Sequence, residues 1–172
     1  MAVPYTYAFI HNQLLNRIML NADAHPLLDG QVTNQKMIKL VFLAHALYAR
    51  FHNHERLTAT PFVKAKYGPI PVDAAHPHVI AHYFDLRQLA HFLPVSDQDH
   101  DLAQDEVTQA ILATVANLNQ HSTMDLEYDL LASLPHYQAT DINAPLDPVA
   151  VADDLTDWEL VDDDDDELAF LN

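Results

Sequence analysis

Histidine is the first residue type to test for chemistry in this 172-residue chain, which carries twelve of them and no cysteine. His78 and His82 stand four apart, so a helix would turn both imidazoles toward one ion, and His76 is close by. Two or three such rings do not complete a metal site, because no further ligand is identifiable; solvent-facing histidines are the plainer reading. His52-Asn53-His54 spells the name of a nuclease motif but lacks the ββα-type pattern around it. Asp162 to Asp166 are consecutive, so they do not converge on one calcium ion. They also lack the alternating ligands and turn glycine of a calcium loop, and read as a solvated charge run. HExxH, a Gly-rich phosphate loop and GxSxG are all missing, and thiol chemistry is excluded. The expectation is a chain with no catalytic residues, no metal and no cofactor.

Binding chemistry is better represented. Lys36, Lys39, Lys64 and Lys66 would form a basic patch able to dock an acidic partner or the chain's own acidic segment; ordinary surface lysines are the equal alternative. Tyr67-Gly68-Pro69 uses one of only two glycines, and its place before a proline suggests a backbone that a Cβ would not allow. Pro69 and Pro71 fix φ and remove two donors, so the turn is stiff. It is either a purely structural turn or a rigid loop presenting an aromatic side chain to a partner.

The elements that would position these groups follow from hydrophobic period. Tyr5, Phe9, Leu14 or Leu15, and Ile18 make the stripe of a first helix over 5–21, ended by His25-Pro26. Met37, Leu40, Val41, Ala44, Leu47, Tyr48 and Phe51 repeat at three and four, which predicts a long second helix with Thr33 as its cap. Lys36 and Lys39 fall off its most apolar stripe. Phe62 to Tyr67 extend as a strand that Gly68 breaks. Residues 77–92 read as a third helix, 101–119 as a fourth and 124–134 as a fifth, stopped by Pro135. The fold class expected is mainly α, about five helices with a small extended or hairpin element. After Tyr137 the character changes, which places a helical domain at 1–140 and an acidic, proline-punctuated segment at 141–172.

The stretch 33–71 resembles the Panacea domain, found in SocA-like antitoxins and many phage-associated proteins. That family pairs a helix of the form lxKLxYxaHaxY with an extended FxAxxYGPVxP. The matching residues are Lys36, Lys39, Leu40, Phe42, Ala44, His45 and Tyr48, then Phe62, Ala65, Tyr67, Gly68, Pro69, Ile70 and Pro71. Lys66 stands where the family often has tryptophan, and the spacing to Gly-Pro is one residue tighter. The resemblance implies a protein-binding module that neutralises a toxin or host protein, and it does not imply an enzyme.

Charge sharpens that expectation. All eight basic residues lie at or before Arg87, where five acids leave a net +3; beyond it stand twenty acids and no lysine or arginine, for −17 overall. Such a half argues against direct nucleic-acid binding, because phosphates would be repelled. From Asp153 onward, acids interleave with Trp158, Phe170 and Leu171, aromatic and aliphatic anchors for a partner. That acidic segment, Asp153 to Asn172, is expected to be a partner-facing or self-docking element and not part of the core. The partner-binding set is therefore Lys36, Lys39, Tyr67, Gly68, Pro69, Trp158, Phe170 and Leu171. The alternative function is a nucleic-acid mimic whose carboxylates stand in for phosphates and block a DNA-binding enzyme. No signal peptide or membrane span is visible, so a cytoplasmic protein is expected.

Overall fold

Thr33 opens the helix around which everything else packs. Its Oγ1 accepts from the Lys36 N–H at 3.3 Å, satisfying one of the free amides of the first turn. The computed structural model describes residues 4–21, 32–72, 87–95, 102 and 105–161. Within them, α1 (Tyr7–Asn21), α2 (Asn34–Phe51) and α3 (Glu106–Asn117) are the long helices. The short α4 (Thr123–Asp125), α5 (Pro135–Ala139) and α6 (Pro148–Val151) complete a mainly helical fold. A small antiparallel sheet runs β2 (Gly68–Pro71), β1 (Phe62–Ala65), β3 (Pro145–Leu146).

α2 is not a half-buried surface helix. α1, α3, α6, β2 and the turn at 152–155 all pack on it, and it is buried almost all round, from Asn34 through Ala49. Lys36 and Lys39 are each only 1 % exposed, so lying off the apolar stripe did not place them on the surface. A helix surrounded on every side has no solvent face to give its charges to. Its end explains the His-Asn-His string. Asn53 (φ 50) and His54 (φ 64) take left-handed backbone, and the His54 N–H returns to the Ala49 carbonyl at 2.8 Å. The His52 ring stacks on Tyr48 at 3.8 Å.

Three predicted helices differ, at least in part, from what forms. The third, at 77–92, falls mostly outside the described residues; its last part is not helical, for Leu89 bridges Thr33 as extended chain. The fifth is a broken run: α4, a wide π-helical turn over Leu126–Leu130, then a 3-10 turn over Leu131–Ser133. The run stops, as expected, before Pro135: Leu134 is extended (ψ 121), and Pro135 then opens α5, where a missing N–H is no loss. The fourth helix begins at Glu106 rather than 101, because Asp105 caps it by accepting the Thr108 N–H at 3.0 Å.

Part of the acidic segment is built into the core. β3 pairs with β1, and Leu146, Val151, Ala152 and Leu155 are at most 2 % exposed. Asp153 turns outward to His54, and the nearly buried Asp154 carboxylate meets His136, both at 2.7 Å. The expectation that the segment from Asp153 is no part of the core therefore fails at Leu155, with Trp158 and Leu160 packed partly buried against that core. Composition alone misjudged it: apolar residues spaced among acids still bury one face when the acids find partners. Residues 162–172 lie outside the described residues.

His45 sits fully buried in this core, with both ring nitrogens lacking a partner among the described residues, 6.4 Å from the Phe62 ring. Burial first, then the Arg56 charge, pushes its pKa down to about 4, against a smaller pull from Asp147. The folded state thus holds the ring neutral where the unfolded chain protonates it. The resulting stability is intact above pH 6.5 and drains away as the pH falls toward 4. His45→Leu is expected to remove about 2.5 kcal/mol of that acid sensitivity, read as the difference between the two proteins' unfolding free energies in urea at pH 7 and pH 4.5. Parallel pH profiles would contradict it.

Candidate partner-binding site

The β1–β2 hairpin is anchored at its tip by side chains from beneath it. Gly68 follows the tip with φ +129, a backbone that side-chain residues rarely adopt. An added Cβ there would stand 2.0 Å from Lys39 Nζ and 2.8 Å from Glu127 Oε2. Glycine is thus required twice, by dihedral and by the lysine it covers.

Under that glycine lies a polar network in which every charge is paired. Lys39 Nζ donates to Glu127 Oε2 at 2.9 Å and to the Tyr67 carbonyl at the hairpin tip. Glu127 Oε1 accepts from the Tyr137 hydroxyl at 2.7 Å. Burial pulls the Lys39 ammonium's pKa down, opposed by the Glu127 charge and hydrogen bond. Burial likewise pushes the Tyr137 phenol up, reinforced by Glu127. Lys64 Nζ binds the carbonyls of Tyr137 and Thr140 at 2.7 and 2.9 Å and lies 4.6 Å from the Tyr137 ring centre. Gln35 Nε2 adds a second bond to the Tyr67 carbonyl, at 3.3 Å. The tip is held from below by three elements: α2, the π-helical turn and α5.

The expected basic patch does not exist as a surface. Lys36 is buried with its Nζ on the Asn119 carbonyl at 2.8 Å, and Lys39 and Lys64 are bonded inward. Buried ammonium groups are retained only where carbonyls or carboxylates replace their water, which is what these three have found. Lys66 alone of the four is exposed; no carboxylate of the described residues lies within ion-pair range of it, and its Nζ sits 5.1 Å from the Tyr67 ring centre.

Above the network the surface is apolar. Tyr67 is 53 % exposed, on a backbone fixed by the bonds just described. A cavity of about 130 Å³ lies beside it, lined by Ile38, Ala65, Pro69 and Ile70, with Gln35 and Lys66 at the rim. Exposed Met124 and Tyr128 stand on the helical run that carries Glu127. Pro69 itself is buried.

The free edge of β2 is closed to strand pairing. Val72 N–H donates to the Pro61 carbonyl at 2.9 Å, which with the Val63–Ile70 register turns the Ile70 N–H toward β1. The outward amide positions are then 69 and 71, both proline. An edge without donors resists annexation by another strand.

Of the sequence-predicted site residues, Tyr67, Gly68, Pro69 and Lys39 come together at the hairpin. Lys36 is part of the core beside them. Trp158 is partly buried against the core, which leaves only part of its ring for a partner. Phe170 and Leu171 lie outside the described residues, as do His76, His78, His82 and Asp162 to Asp166. Among the described residues no group of three or more histidines or acids is placed to hold a metal, and no helix is long and apolar enough to cross a membrane. Sequence reading missed Glu127 and Tyr137, which complete the network; their distance from Lys39 along the chain leaves no local signal. No family model matches the chain, and no curated protein or solved structure matches it significantly.

Proposed function

We propose that this protein is a binding module that acts by docking another protein at its hairpin tip, in the manner of an antitoxin or a phage-associated regulator that neutralises a toxin or host factor. One observation carries the reading: a half-exposed aromatic, Tyr67, stands beside an apolar cavity on a backbone tied to a buried hydrogen-bonded network. A backbone already fixed loses little further freedom on binding, which favours an aromatic there as an interface anchor. The antitoxin-like part of the proposal rests on the resemblance of residues 33–71 to the Panacea domain. Occlusion of the partner's surface, and not covalent chemistry, would then be the mechanism.

The test is affinity capture from cells with the full chain and with Tyr67→Ala. The substitution removes an exposed ring and leaves the carbonyl bonds in place, so folding is expected to be unchanged. A protein captured by the wild type should be lost by at least tenfold with Tyr67→Ala, the loss of a contact worth about 1.4 kcal/mol or more. Equal capture by both would sink the reading. Recovery of a DNA-binding enzyme by both forms, released by moderate salt, would favour the nucleic-acid mimic instead.

A further inference from the structure

We propose that the cavity beside the hairpin tip is the seat of this chain's own residues 162–172, with Phe170 in the cavity and the acids of 162–167 against Lys66. The proposal rests on the reading of the tip as a docking surface and names its resident occupant. Three observations converge on it. The cavity, at about 130 Å³, is close to the size that holds a single benzene ring, and its walls are aliphatic side chains and proline. It therefore takes one aromatic or leucine side chain and no more. The proline edge beside it gives no amides to an incoming strand, so the occupant must be anchored by such a side chain.

Charge selects among occupants. Lys66 is the one lysine left on the surface, at the rim of the cavity, with no carboxylate of the described residues in ion-pair range. Residues 162–167 are six consecutive acids, followed by Leu168, Ala169, Phe170 and Leu171. Acid then aromatic is the order that a cation beside an apolar hole would accept.

Reach allows it. The described chain ends with the Val161 N–H on Thr114 Oγ1 at 3.0 Å. Thr114 is five residues before Asn119, about 7.5 Å along a helical axis, and the Asn119 carbonyl meets Lys36, the neighbour of Gln35 at the cavity rim. Nine residues link Val161 to Phe170 and span up to about 32 Å when extended, longer than the contacts just traced. Held intramolecularly, the segment competes with an outside partner at high effective concentration. The partner should therefore carry the same chemistry, an acidic stretch with one large apolar anchor.

The experiment compares methyl NMR spectra of full-length wild type and Phe170→Ala, observing Ile38 and Ile70. Loss of the ring from the cavity should move both signals, and a synthetic peptide of the 162–172 sequence added to Phe170→Ala should restore them in a saturable way. Lys66→Glu should weaken that restoration. Ile38 and Ile70 signals that ignore Phe170→Ala overturn the inference. Wild-type signals that revert on dilution also overturn it, because a second copy would then be the occupant. Failure of the underlying reading looks different: there, Tyr67→Ala leaves partner capture intact whatever the methyl signals do.

Discussion

Gly68→Ala is expected to destabilise the protein by about 3–5 kcal/mol, several times the ordinary difference between these residues. Two effects combine. Alanine at φ +129 is strained by about 1–3 kcal/mol, and its methyl would occupy the place of Lys39 Nζ, 2.0 Å away. Lys39 is a flexible chain, but its end is fixed by Glu127 and the Tyr67 carbonyl, so moving it breaks a buried ion pair. Denaturant melts of Gly68→Ala, Lys39→Met and the double variant separate the two terms. The double should lose less than the sum of the singles, because the methyl no longer has an ammonium to displace. A Gly68→Ala midpoint equal to wild type would show that the tip can be rebuilt without glycine.

Lys39→Met is expected to cost about 3–5 kcal/mol by itself, since it leaves the Glu127 carboxylate buried with Tyr137 as its only bonded side chain among the described residues. The neutral side chain fills similar volume, so packing is a minor part. Adding Glu127→Gln to Lys39→Met should recover most of the loss, because the amide keeps an acceptor for the Tyr137 hydroxyl and carries no charge. Urea midpoints of the three variants check this. A Lys39→Met loss below about 1 kcal/mol would mean that the network contributes little and that the hairpin is held by packing alone.

What the sequence disclosed, and what it hid, follows from how local each signal is. The central helix, its Thr33 cap and the special role of Gly68 were legible, because period, capping chemistry and the Gly-Pro pair act within a few residues. The burial of Lys36 and Lys39 was not, since it depends on α1, α3 and α6 closing around α2 from distant parts of the chain. Glu127 is 88 residues from Lys39, and nothing near either marks the pair. β3 is two residues long, one of them proline, too little pattern to read as a strand. The fifth helix was placed correctly but not shaped correctly. A π-helical turn there changes the face that each side chain presents, and period counting assumes a single pitch. The acidic segment was misread at Leu155, Trp158 and Leu160 because composition reports the average character of a stretch and not which side chains face inward.

Site-directed photo-crosslinking tests the binding proposal most directly. A photoreactive phenylalanine analogue replaces Tyr67 in one full-length protein and Val107, exposed on α3, in another. After illumination in cells, the position-67 protein is expected to give a discrete adduct with a second protein, and the position-107 protein none. Adducts at 107 without adducts at 67, or no adduct at 67 in cells where the protein is active, would contradict the assignment of the hairpin tip as the docking surface.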